Sequence, residues 1–207
     1  LIFGGCGCDI DQVNDYVYEK RTEFDLPSLY RTHYAMDADK LEEDILKRGF
    51  LGIKPYLSNC PPYLPSAEIR IFDFVPHEHL KVCDKHGWKV VLHISKPDRL
   101  KNPTNIKQLL EIEQKYPNVK LIVAHIGRAY SPEDLGDALE VLGANTKNMM
   151  FDFCANTYSY AIEKCIDIMG SKRVMFGTDM PITKIKTSIL HIMNISTSFV
   201  PQGFVGF

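Results

Sequence analysis

Short apolar runs alternate with helical segments along this chain, and that rhythm constrains its fold more than any other feature. Strand-like runs begin near Leu1 (LIFGG), Leu29 (LYRTHY), Leu51 (LGIKPYL), Lys89 (KVVLHI), Val119 (VKLIVAHI), Asn148 (NMMFDFC) and Arg173 (RVMFGT). Runs that are apolar without alternation read as strands covered on both faces. Between them, DADKLEEDILKRG places Leu41 and Ile45 one helical turn apart and stops at Gly49. PHEHLKVCDKHG runs from Pro76 to Gly87, NPTNIKQLLEIEQKYP ends before Pro117, and TYSYAIEKCIDIMG ends at Gly170. In SPEDLGDALEVLGAN, Ser131 is the cap, Pro132 takes the first helical position and Gly143 closes one continuous helix.

Strand–helix alternation implies parallel strands joined by crossover helices. Two architectures satisfy it, an open doubly wound sheet and a closed (β/α)8 TIM barrel. FGGCGCDI offers Gly5 and Gly7 but has Ile10 where a dinucleotide fingerprint needs its third glycine. An open sheet gathers its functional residues at one switch point, whereas a barrel takes them from many strand ends. Here they sit at many strand ends, so the reading is a TIM barrel.

Those strand ends carry the chemistry. KVVLHIS hands over to His93, KLIVAHIGRA to His125 and Arg128, and RVMFGTDMP to Asp179. His93 and His125 lie about one strand–helix unit apart, which puts them at equal height on successive strands facing one mouth. Neutral imidazole and carboxylate are good ligands for a divalent ion and good proton carriers. His33 in RTHY and Lys54 in GIKPY end two further strands. Lys54 suits an anionic substrate, a carbamate ligand or a structural salt bridge. Arg128 can grip a carboxylate bidentately or pair with Glu133. His77 and His79 form an HxH pair, but at a helix start, where i and i+2 point apart. Asp152 reads as a strand-end hydrogen-bond partner, and Tyr56, Trp88 and Phe153 as packing.

Lys and Arg total 24 against 26 Asp and Glu, so nothing in the charge balance calls for nucleic acid or an anionic membrane. No apolar run reaches the roughly 18 residues of a membrane span. The six irregularly spaced cysteines suit thiols in a reducing compartment, and CGC lacks the two-residue gap of a zinc ribbon. Cytoplasmic localisation is the expectation.

GIKPYL, VVLHISKP, KLIVAHIGRA and RVMFGTDMPI, taken in order, resemble the amidohydrolase superfamily, in particular its amidohydrolase-related branch of metal-dependent hydrolases and decarboxylases. The resemblance runs over residues 1–183, leaving 184–207 as a tail of one single-domain chain. It implies a (β/α)8 barrel with one divalent metal ion, zinc by preference. His93 and Asp179 fall on metal-binding positions, and Asp179 and His125 on catalytic ones. Lys54, Arg128 and His33 are left to orient the substrate. It also implies an HxH pair on a first strand that this chain lacks. The chain therefore starts at strand 2, is read as a partial one, and shows seven strands of eight. The function implied is metal-activated hydrolysis of a small carboxylated or cyclic substrate. Non-oxidative decarboxylation of an aromatic or dienoic acid is one alternative, and a metal-free, non-enzymatic barrel the other. A small-molecule partner and a homo-oligomer complete the expectations.

Overall fold

A computed structural model describes residues 3, 4 and 9–180. Among them lies one six-stranded, wholly parallel sheet in sequential order: β1 (Tyr30–Thr32), β2 (Gly52–Pro55), β3 (Lys89–Leu92), β4 (Lys120–Val123), β5 (Met150–Asp152) and β6 (Val174–Met175). Sequential order without a switch point is the order of a barrel wall, and every strand falls inside a run read from the sequence. The strand expected at LIFGG falls mainly on residues outside the described set, and Phe3 and Gly4 carry no strand assignment. The tail from 184 onward also lies outside the described residues. Among the described residues, no helix is long and apolar enough to cross a membrane.

The sheet has two chemically different faces. Tyr30, Ile53, Val90, Leu92, Leu121, Val123 and Phe151 point outward into the main core, where the crossover helices cover them. Leu29, Val91, Ile122 and Ala124 point the other way and form a smaller cluster with Phe3, Leu51, Met150 and Met175. Because side chains alternate along a strand, the inner face continues upward through Arg31, Lys54, His93 and Asp152. The register aligns these rows, with Arg31 opposite Lys54 and Asp152 opposite Met175.

Local chemistry explains the helices. Asp37 accepts from the Asp39 and Lys40 N–H groups at the start of Ala38–Arg48, which buries Leu41 and Ile45. Asn102 caps Pro103–Lys115 through Thr104 N–H, with Pro103 at the first position. Helix Ile10–Phe24 was not foreseen; it buries only Asn14 and Val17, so its apolar stripe is faint. The single helix expected from Ser131 is corrected to two, Pro132–Leu135 and Ala138–Asn145. Gly136, at φ 52°, ψ −138°, breaks the run. Gly143 lies inside the second helix, where a Cβ would meet Ile168 Cγ2 at 2.4 Å, so it packs the helix closely on Ser159–Met169.

Candidate active site

Four polar groups from successive strands join in series at the C-terminal end of the sheet. Lys54 Nζ, completely buried, donates to the Val91 carbonyl at 3.1 Å and lies 2.8 Å from His93 Nδ1. His93 Nε2 faces His125 Nε2 at 2.7 Å, and His125 Nδ1 is 2.6 Å from the Cys154 carbonyl. A carbonyl oxygen only accepts, so His125 Nδ1 carries a proton and its Nε2 presents a lone pair. A protonated Lys54 makes His93 Nδ1 an acceptor, which leaves His93 Nε2–H to donate to His125. Lys54 then has two acceptors, and each imidazole N–H in the row has one.

Burial governs the electrostatics here. It pulls the Lys54 ammonium down from the usual lysine value to about 8, against the opposing pull of Asp152, Cys154 and Asp179. Burial first, then the Lys54, His125 and Arg128 charges, hold His93 far below the ordinary imidazole value, so it stays neutral. The Cys154 thiol is pushed above its usual range by burial and by Asp152.

Asp152 supports this row from below. Its Oδ1 accepts from His125 N–H at 2.9 Å, Cys154 N–H at 3.2 Å and the Cys154 thiol at 2.6 Å. Three donors on one oxygen make Asp152 the strand-end partner expected of it. The loop from β4 is bent just as firmly. His125, Ile126, Gly127 and Arg128 all have positive φ, at 57°, 51°, 59° and 60°. This left-handed turn costs about 1–2 kcal/mol for each non-glycine residue, and a β-branched isoleucine is among the poorest residues for it. Gly127 avoids that cost and also fits a space closed to a side chain, since a Cβ would lie 2.5 Å from Leu100 Cδ1.

The other sequence candidates lie around this row at different distances. Arg128 is half-buried, and among the described residues its guanidinium has no hydrogen-bond partner; Arg99 pairs with Asp134 at 2.5 Å and reaches the Arg128 carbonyl. The pairing of Arg128 with Glu133 is therefore not formed. Nor is a Lys54 salt bridge with a carboxylate among the described residues. Asp179, at φ 51°, acts on Lys54 and Tyr130 through space but does not join the imidazole pair. His33 lies apart, its Nδ1 accepting from Ala35 N–H, in a cavity of about 370 Å³ shared with Asp9, Asp11, Arg31, Met36 and Asn59. His77 and His79 bond to Tyr116 Oη and the Met36 carbonyl, away from the row.

Sequence reasoning passed over Arg31, Cys154 and Asn156, and read Tyr56 as packing. Arg31 is buried in β1 with its guanidinium 5.5 Å from the Tyr56 ring centre, and Tyr56 stacks on His93 at 5.9 Å.

Two donor sets in this region suit a divalent cation. One is the converging Nε2 pair of His93 and His125. The other is His125, Asp152 and Cys154, whose ligand atoms lie within 4.8 Å of one another. The second set is already consumed by bonds among its own members, whereas the first holds a single proton between two nitrogens. Nitrogen with carboxylate nearby is a set that zinc and manganese both accept.

The amidohydrolase family model matches residues 14–188. The chain belongs to the amidohydrolase family. No curated protein sequence matches this chain significantly. Among solved structures, a dihydroxybenzoic acid decarboxylase from Polaromonas sp. JS666, holding manganese and the inhibitor 2-nitroresorcinol, superposes with a TM-score of 0.60 at 15% identity. The match covers 96% of this chain and 72% of that one. A 2,6-dihydroxybenzoate decarboxylase from Rhizobium gives 0.58 at 14% identity, over 84% and 66%. An amidohydrolase II gives 0.60 at 15%, over 94% and 72%. At these identities the likeness is one of fold: a parallel α/β sheet of the TIM-barrel kind.

Proposed function

We propose that this amidohydrolase-family chain serves a metal-dependent, non-oxidative decarboxylase of small aromatic carboxylic acids. One observation carries the reading. Cationic Lys54, Arg31 and Arg128 surround a stacked Tyr56–His93 face, while Asp152, the carboxylate beside the imidazoles, has an oxygen occupied by three donors. Such a mouth draws in an anionic, flat molecule. The decarboxylase neighbours bind dihydroxybenzoate or nitroresorcinol, which supports the same chemistry here.

His93 and His125 would hold the divalent ion, with Asp179 as the carboxylate ligand. Manganese or zinc suits these donors, and the ion supplies Lewis-acid stabilisation of negative charge on the substrate's oxygens. Arg128 holds the carboxylate that departs, and Tyr56 supports the ring. As the bond from ring carbon to carboxyl carbon breaks, its electron pair stays on the ring and CO2 leaves. Asp179, having taken up a proton from solvent beforehand, then gives it to that carbon and is left as the carboxylate.

A second reading, metal-activated hydrolysis, rests on Asp179 in the segment after β6 acting in the opposite sense, as the base that takes a proton from water. His125 and Arg128 would then stabilise the oxyanion. The full-length, manganese-loaded protein incubated with a panel of hydroxybenzoates in D2O separates the two. Decarboxylation releases CO2 and places one deuterium on the ring. No CO2 from any acid, with hydrolysis of esters or lactones by the same preparation, would overturn the first reading in favour of the second.

A further inference from the structure

We infer that Asn156 is a positioning residue that holds the left-handed His125–Arg128 turn closed and so aims His125 at His93. The inference rests on the reading that His125 works at the mouth, and it adds a residue outside that mouth. Asn156 is completely buried and follows β5. Its Nδ2 donates to both ends of the turn, to the His125 carbonyl at 3.3 Å and the Ala129 carbonyl at 2.9 Å. Its Oδ1 accepts from Tyr158 N–H at 2.9 Å, which fixes which way the amide faces. One side chain thus spans four consecutive residues of positive φ, three of them not glycine.

The other bonds to this segment do not replace the clamp. Arg99 Nη1 reaches the Arg128 carbonyl at 3.4 Å, a long contact. Gly127 N–H bonds Ala124 O and Ala129 N–H bonds Ile126 O only locally, tightening the turn without tying it to β5. Asp152 anchors the His125 N–H at one end. Among the described residues, Asn156 alone joins the beginning of the turn to its end. Without it, the turn would relax toward negative φ and swing the His125 ring, breaking Nδ1–H to the Cys154 carbonyl.

The test reads the His125 ring directly, by NMR of histidine-labelled, metal-free full-length protein. Native protein should show His125 as the Nδ1–H tautomer with a slowly exchanging proton. N156A should lose that signal and show a mixed tautomer, while His77 and His79 keep the signals set by Tyr116 and Met36. N156A/R128G should restore it, because glycine takes positive φ without strain. That rescue separates a clamp on a strained turn from a general packing role. If N156A does not fold alone, the double variant is compared with R128G. An unchanged His125 signal in N156A, equal loss at every histidine, or no rescue or folding in the double variant would overturn the assignment. Since no metal is present, failure of the decarboxylase reading would leave this result standing.

Discussion

The outer and inner faces of the same six strands answer to different demands. Outside, Ile53, Val90, Leu92, Leu121 and Phe151 meet helices through apolar contact alone, and burial of that kind stabilises the fold by about 25 cal/mol per Å². Inside, at the C-terminal end, the same strands bury Arg31, Lys54, His125 and Asp152, groups that burial penalises unless they are bonded. One face supplies the stability that the other spends. The mouth is held in an unfavourable state by the sheet beneath it, which is how a fold keeps a lysine at low pKa and a loop at positive φ.

The largest test of this contrast lies on the outer face. Phe151→Ala empties a fully buried site and should destabilise by about 3–5 kcal/mol in urea unfolding. A loss below 1 kcal/mol would mean the outer face is not the main support. Gly127→Ala should cost about 1–3 kcal/mol, from positive φ and from Leu100 together.

Lys54→Met should do the reverse. The folded-state lysine titrates near 8 against a free value of 10.5, so the unfolded chain holds the proton more tightly. The penalty on folding is therefore full below about pH 8 and fades as pH rises toward the free value. Lys54→Met should raise stability by about 1–2 kcal/mol at pH 7, after the loss of its hydrogen bonds is counted, and by less at pH 10. A destabilised variant at pH 7 would break the comparison. Last, Asp15→Asn removes an exposed partner of Arg48 and should change stability by less than about 0.5 kcal/mol.

The parts of this account that were legible in the sequence share a cause. Strands β3 and β4 announced themselves because burial on both faces forces continuous apolar runs, VVL and LIV, and His93 and His125 because each follows one. Helix Ile10–Phe24 was hidden by its faint stripe, and the break at Gly136 because a glycine inside a helical pattern is often tolerated. Arg31 and Asn156 escaped for another reason. Their meaning comes from partners distant in the chain, Asn59 and Tyr56 for the first and Ala129 for the second, and no local pattern encodes such contacts. Arg128 and His33 were legible as residue types at strand ends, but not the cavity that holds His33 apart from the imidazole pair.

The most direct measurement of the central claim is a manganese titration of the full-length protein beside His93→Ala and His125→Ala, followed by calorimetry and elemental analysis. The account predicts about one ion per chain in the native protein and at least a hundredfold weaker binding in each variant, with both variants folded. Undiminished binding in either variant, or no binding in the native protein, would contradict the assignment of the paired imidazoles as the metal-holding centre.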